Sequence, residues 1–512
     1  MEPQAFDRRR RTVLIASAAV AAGAVAVVGS CQKPQGMRRA PGDAASTDRM
    51  AGEPKRASEG SDAQKPAPSK AETPKPRPEP VERPAPPSSE PAIRIRTGSL
   101  TSEAPSVEIR GPGSNVWIVE PGSGRPGVIA QCPVEFTWTR EGWRVREAAK
   151  TRDARAVALP PMAVLEISSL RGEPRRLTAF GSEWPGIIRL VPRPAQRTAA
   201  TPPTTAGTPT APTTATTATP EFATADVVHE LPMEEYLPGV IAKELFNSWG
   251  VATHQAQAIA ARSWALCEMA MWRTRRHFDT VAGEAGQAWI GATKHRRSAD
   301  AVNATRGQVL LYSARVVPAY YSSCCGGARA AARDAISSSV IHDIEPLRVE
   351  RPDAADCCSW SPTYRWQLSL DAQALGRTLP AWARAEGYAS LFSLEGIRRI
   401  EIAERNRAGR PVAYTITDAK GALHQVLAER LRWGLNADPA APSGMRPSRE
   451  RVKSAYFEPL VRGRELFVSG RGHGHGVGMC QYGAEAMAKK GAKASAILAR
   501  YYPGASIEKS YA

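Results

Sequence analysis

"LPMEEYLPGVIAKELFNSWGVATHQAQAIAARSWALCEMAMWRTRR", residues 231–276, carries the longest helical signal of the chain, with three glutamates just ahead of it. From Val251 to Val281 there is neither Gly nor Pro, and Thr253 stands where a helix N-cap is expected. Ile259, Ser263, Leu266 and Ala270 follow one another at spacings of four, three and four, which puts small and apolar groups on one helical face. A buried helix is predicted. Of the acids before it, Glu234, Glu235 and Glu244, the last is flanked by Ile241, Ala242, Leu245 and Phe246. An apolar setting raises a carboxyl pKa and prepares a general acid; helical spacing alone is equally compatible with an ordinary solvated carboxylate.

Upstream, "IRIR", "SVEIR", "NVWIV", "EFTWT", "WRVRE" and "AVLEI" alternate apolar with polar residues between Gly, Pro and Ser, the pattern of short β-strands from Ile93 onward. A Thr/Pro-rich stretch at about 193–221 interrupts this region and reads as a disordered insertion before "FATADVVHELP" resumes it. Downstream, "YRWQLSL", "IRRIEIAER" and "PVAYTITD" read as strands, and "GAEAMAKKGAKASAILARYY" as one or two closing helices. The fold class expected is α+β.

The first 91 residues have a different texture. Arg8–Arg11 precede "TVLIASAAVAAGAVAVVGSC", the basic and hydrophobic regions of an export signal. Val28-Gly29-Ser30-Cys31 resembles a lipobox, which makes Cys31 the lipidation site and the membrane a partner; an uncleaved anchor and a cleaved signal are the alternatives. Residues 32–91, rich in Pro, Ala, Ser, Glu and Lys, are expected to form a disordered tether. As a flexible coil they would span on the order of 45 Å. The net charge is +18, and only 15 basic against 11 acidic residues fall in the first 91, so the excess lies in the part beyond. Such a charge suits an anionic polymer or membrane surface; the export signal argues against nucleic acid.

Near the C-terminus "GRGHGHGVGMCQYGA", residues 470–484, is too small in its side chains to pack a core alone. Its glycines allow close backbone approach, and His473, His475, Gln481 and Tyr482 are the groups it brings close to something. A lined substrate site, plain loop geometry and a metal site all fit; His-x-His alone is a weak ligand signal. Cys324, Cys325, Cys357 and Cys358 form two vicinal pairs, which in an exported chain favour a disulfide between one member of each.

Four separated segments, "EEYLPGVIAKEL", "QAQAIAARSWAL", "TRGQVLLYSARVVPAYYSSCCGG" and "GRGHGHGVGMCQYGAEAMAKKGAKASAILARYYPGA", resemble in order the motifs of the SpoIID/LytB family. The resemblance covers roughly residues 93–510 and implies one catalytic domain over 92–510, with a β-rich N-terminal part and helices lining a substrate cleft. It implies cleavage of peptidoglycan glycan strands, stripped of stem peptides in the best understood member, at the MurNAc–GlcNAc bond by lytic transglycosylation. Glu244 takes the position of the catalytic acid/base and Arg262 that of an active-site arginine. Tyr321, Ser323, His473, His475, Gln481 and Tyr482 take substrate-side positions, with Ser322 where the sporulation enzyme has His and His473 where Trp is frequent. A family zinc site made by Cys and His has no counterpart in "HFDTVAGEAGQAW", so no cofactor is expected and zinc is the lesser reading. The rival function is a noncatalytic wall-binding protein that enhances or localises an amidase, which makes an amidase a further candidate partner.

Overall fold

The computed structural model describes residues 82–512 apart from 140–141, 148–156, 160–162, 174, 195–221, 284–285, 349–356, 439 and 442–443. The expected export signal, Cys31 and most of the expected tether lie outside the described residues. Among the described residues no helix is long and apolar enough to cross a membrane.

Two antiparallel-rich sheets make the N-terminal part. In the seven-stranded sheet Ala92–Leu100 pairs with Phe222–Pro232, which pairs in turn with Ile187–Pro194. In the six-stranded sheet Ser106–Arg110 pairs with Val134–Thr139, and that strand with Gly142–Glu147. Alternation does what the sequence pattern requires: Val107 and Ile109 are buried while Glu108 and Arg110 are exposed. Val116, Leu165, Ile188 and Val227 of one sheet share a core with Ile109, Phe136, Trp143 and Leu177 of the other, as in a sandwich. The strands on either side of residues 195–221 are direct neighbours, paired from Ile187↔Glu230 to Pro194↔Phe222.

The strand Phe222–Pro232 runs without a break into α1 (Met233–Glu244), and α2 (Val251–Trp272) follows after a short turn. This hand-over positions the site, because it fixes the far end of α1, and so Glu244, relative to the sheet. The buried-helix expectation for α2 holds and goes further: nearly every residue from Thr253 to Cys267 is buried, whatever its face. Ala270, assigned to the apolar stripe, is exposed. The helix also starts earlier than expected. Gly250 is its N-cap, and Glu485 from a distant helix accepts hydrogen bonds from the Gly250 N–H and the Thr253 hydroxyl, both at 2.8 Å. A tertiary carboxylate therefore does the capping that Thr253 was expected to do.

α3 (Arg296–Ala304) packs on α1 and α2, and the short α4 (Ala332–Ala335) follows. Residues 365–471 build a core of their own, with α5 (Ala372–Glu386) and α6 (Ala428–Asn436) laid against two three-stranded sheets. The three expected strands are present as Arg365–Asp371, Arg399–Arg405 and Pro411–Thr417, whereas α5 and α6 were missed. Finally α7 (Gln481–Lys489) and α8 (Ala494–Tyr501) return to the central core beside α2. The expected tether is corrected at its C-terminal end: residues 82–91 lie against the folded part. The Val316 N–H donates to the Pro84 carbonyl at 2.9 Å, Arg83 donates to the Tyr312 carbonyl at 3.0 Å, and Met233 N–H to the Pro91 carbonyl at 2.9 Å. Proline's carbonyl remains a good acceptor, so a Pro-rich strand docks wherever donors are left over.

Candidate active site

Glu244 is the last residue of α1, part-buried, between buried Ile241 and Leu245. Gln481 donates to its Oε2 at 3.0 Å, and Gln481 Nε2 also faces Gln257 of α2 at 3.4 Å. Burial pushes the Glu244 carboxyl above the usual carboxylate range; the Gln481 hydrogen bond, the Ala288 N–H and the charge of Lys243 pull downward without cancelling it. A helix C-terminus disfavours an anion and acts in the same direction as burial. Among the described residues Glu244 forms no ion pair. It is a carboxyl of raised pKa held in place by an amide.

Around it lies a hydrogen-bonded chain of neutral groups. Tyr236 donates to Gln287 at 3.0 Å, and Gln287 donates to the Tyr321 hydroxyl at 2.9 Å and to the Ala261 carbonyl at 3.2 Å. Tyr321 accepts in this chain, which leaves its own O–H to point onward. Tyr321 and Gln287 also line a cavity of about 380 Å³ together with Trp264, Glu268, Trp433 and His475. Burial raises the Glu268 carboxyl to about 7, against the Arg276 charge and a hydrogen bond from Trp272. Tyr236 lies in the electrostatic field of both Glu244 and Glu268. Glu268 was not singled out from the sequence; the signal for it is the α2 face Gln257, Ala261, Trp264, Glu268, which the structure turns toward Gln481 and this cavity. A larger hollow of about 770 Å³ lies in the strand region, between Trp117, Glu166, Arg171 and Ile187. It shares no residue with the surroundings of Glu244.

On another side of the acid stands an aromatic shelf. Phe246, Trp249, Tyr482 and Trp360 pack in sequence, with ring centroids 5.4 Å apart for Phe246–Trp249, 5.0 Å for Trp249–Tyr482 and 4.6 Å for Tyr482–Trp360. Phe246 is 59% and Trp360 42% exposed, and the Lys489 ammonium sits 4.3 Å above the Trp360 ring. Phe246 follows Glu244 by two residues and Tyr482 follows Gln481, so the chain itself ties the shelf to the acid. Exposed rings beside an acid were legible as "ELFNSWG" and "CCSWSP" only after folding joined them.

The glycine-rich segment is explained by what it approaches. Gly472, Gly474, Gly476 and Gly478 all have φ between 66° and 94°. A Cβ on Gly478 would stand 2.0 Å from the Tyr320 carbonyl, and one on Gly472 2.5 Å from that of Cys324. The segment therefore presses onto residues 320–325, where Tyr321 and Ser322 pair with Met479 and Cys480. Gln481 lies against Glu244, and Tyr482 belongs to the aromatic shelf. His475 lines the cavity, but its ring serves its own loop: Nδ1 accepts from Val477 N–H at 3.0 Å and the other nitrogen faces the Tyr321 carbonyl. Burial lowers its pKa to about 4, so it is neutral. His473 is exposed and its backbone bridges Cys324. Ser323 is part-buried, and its carbonyl accepts from Tyr482 N–H at 3.1 Å. Ser322 is buried.

Two expectations are corrected. Arg262 does not reach the cleft. It is 0% exposed and forms a two-pronged ion pair with Glu234, at 2.8 Å from Nε and 2.7 Å from Nη2, while Nη1 donates to the Gln308 carbonyl. Burial raises the Glu234 carboxyl, but the Arg262 hydrogen bonds and charge, with Tyr511 and the Gly307 N–H, outweigh it and hold it below the usual range. The second correction concerns the cysteines. No disulfide joins the expected pairs: the nearest of the expected partners, Cys325 and Cys358, have sulfurs 3.6 Å apart, well beyond a disulfide bond length of about 2.05 Å.

The depressed Glu234 pKa has a testable sign. Its stabilisation is fully present above the unfolded glutamate pKa of about 4.3 and is lost as pH falls through the lower folded value. Thermal melts from neutral pH downward are expected to show wild type losing its advantage over Glu234→Gln below about pH 4.3. A constant gap across that range would contradict the ion pair.

A family model described as "Stage II sporulation protein" matches residues 222–312, the stretch that carries both Glu244 and Arg262. Residues 222–312 are a SpoIID-family domain, and the chain is similar to SpoIID/LytB proteins. Among its relatives, the amidase enhancer of Bacillus subtilis (strain 168) is 27% identical over 298 residues, which is 53% of this chain and 40% of that protein. Stage II sporulation protein D of the same strain is 26% identical over 312 residues, 57% of this chain and 79% of that one. The Bacillus amyloliquefaciens protein of the same name is 24% identical over 337 residues, 62% and 86% respectively. The family match places α1 and α2 within its shared part, and the match to the amidase enhancer spans well under half of that relative.

Proposed function

We propose that the chain cleaves peptidoglycan glycan strands at the MurNAc–GlcNAc bond, by lytic transglycosylation with Glu244 as the single acid/base. A role in the cell wall is the coarser statement that family membership supports. The observation that carries the finer one is a carboxyl with raised pKa, held by Gln481 at 3.0 Å between an aromatic shelf and a polar cavity. A glycosidase ordinarily needs two carboxyl groups. In transglycosylation the 6-hydroxyl of the muramic residue attacks its own anomeric carbon, so the nucleophile comes with the substrate. Glu244 gives its proton to the departing glycosidic oxygen, and the carboxylate left behind takes the proton of the attacking hydroxyl. Gln481 supports the anion during that interval, and the Tyr321 O–H is the nearby neutral donor.

Product analysis tests this. Purified glycan strands, incubated with the protein and read by mass, are expected to carry 1,6-anhydromuramic ends. Reducing ends would instead mean attack by water. Glu268, on the cavity wall with a pKa near 7, is then the residue with the chemistry to activate it. Glu234 is locked in its ion pair and Glu235 faces solvent. The reading as an amidase enhancer, suggested by the name of one relative, predicts no glycan cleavage by the wild-type protein and faster turnover when an amidase is added. For the aromatic shelf, Trp360→Ala is expected to raise KM for glycan about 3- to 10-fold, the worth of one aromatic contact, with kcat nearly unchanged. An equal fall in kcat alone would remove the shelf from substrate binding.

A further inference from the structure

Four buried thiols meet behind the site. Cys324, Cys325, Cys358 and Cys480 are each at most 1% exposed, and they come from three separated segments. The sulfurs of Cys325, Cys358 and Cys480 all lie within 4.8 Å of one another, and Cys324 stands just outside that trio, in hydrogen-bonding reach of Cys358 and Cys480. The Cys325–Cys358 separation of 3.6 Å is close to the edge of a tetrahedron of sulfurs around one ion, about 3.8 Å for a metal–sulfur distance of about 2.3 Å. Backbone donors are already aimed at these sulfurs: Cys325 N–H at Cys480 Sγ (3.4 Å), Gly326 N–H at Cys324 and Gly327 N–H at Cys325. Such N–H groups stabilise thiolates and have little to offer neutral thiols. Arg410, fully buried, donates to the Cys325 and Ala328 carbonyls at 3.3 Å and brings a positive charge alongside.

We propose that Cys324, Cys325, Cys358 and Cys480 bind one zinc ion as a tetrathiolate site. Soft thiolates in tetrahedral array select zinc over harder cations, and a closed set of four leaves no position for catalysis. Binding displaces the thiol protons to solvent, one for each sulfur that was protonated, and the Arg410 guanidinium offsets part of the resulting negative charge. The ion joins the segment of Tyr321 and Ser323, the turn that carries Trp360, and the strand that leads into Gln481. It thereby holds together the wall against which Glu244 is positioned. Cys357 is not part of the set: its sulfur faces Arg500 at 3.7 Å. The inference does not depend on the proposed catalysis.

The test is metal content of the full-length protein purified without chelator. One zinc per chain is expected, released to a colorimetric chelator only when the thiols are titrated with an organomercurial. Cobalt substitution should give the visible and near-ultraviolet bands of tetrahedral cobalt thiolate, a readout that does not require any variant to fold. Cys358→Ser and Cys480→Ser should lose the metal or hold it far more weakly, while Cys132→Ser retains one equivalent. The proposal is overturned by wild-type protein that takes up no zinc after reconstitution under reducing conditions, by recovery of Cys325 and Cys358 as a disulfide, or by full zinc retention in both cluster variants.

Discussion

Replacing Glu244 with glutamine is expected to reduce glycan-strand turnover by about 10²- to 10⁴-fold while binding stays within about twofold. The amide keeps the shape of the side chain and an oxygen that still accepts from Gln481, so the local structure has no reason to move. It lacks a proton acidic enough for the departing oxygen. The pH profile supplies a second reading of the same residue. Because the acid must enter the reaction protonated and burial raises its pKa, turnover should fall as pH rises through that elevated value. The residual rate of Glu244→Gln should lack this limb. A variant that cleaves as fast as wild type would dismiss Glu244 as the acid. Wild-type protein that binds glycan and never cuts it would favour the amidase-enhancer reading.

Arg262→Ala is expected to destabilise the protein by about 3–5 kcal/mol, because it strands the buried Glu234 carboxylate without its partner. The Tyr511 hydroxyl, at 2.6 Å from Glu234, ties the C-terminal residues into the same cluster. Their loosening should accompany the loss. Adding Glu234→Gln to the Arg262→Ala background should recover part of the stability, since no unpaired charge then remains buried. Calorimetry or chemical denaturation of the four proteins in that cycle decides it. If Arg262→Ala melts like wild type and instead loses affinity for glycan, Arg262 reaches substrate and the buried assignment fails.

These two residues show where sequence reasoning succeeds and stops. The part-buried setting of Glu244 was legible because Ile241 and Leu245, its apolar neighbours in the chain, are themselves buried. Arg262 was read by its motif position as an active-site group. Nothing local to "AIAARSW" says that its guanidinium faces Glu234, 28 residues earlier, on the inner side of α1. Thr253 failed as a cap for the same reason: the carboxylate that caps α2 belongs to Glu485, 232 residues away. Glu268 and Trp360 went unnoticed because an acid in a helix and a tryptophan in a turn are ordinary until folding sets them beside a cavity or an exposed shelf.

Period-two alternation marked the sandwich strands, and the run free of Gly and Pro marked α2; both are properties of neighbouring residues and need no tertiary information. The glycine spacing in residues 470–484 likewise announced a backbone in close contact with something. What it contacts, the segment from Tyr320 to Cys325, was decided by packing alone, as were the Gln481–Glu244 hydrogen bond and the meeting of four cysteines. Periodicity is written into consecutive residues, whereas these contacts join positions from 33 residues apart, for Cys325 and Cys358, to 237 apart, for Glu244 and Gln481. Their proximity depends on how α1, α2 and α7 share one core, and no short window of sequence contains that.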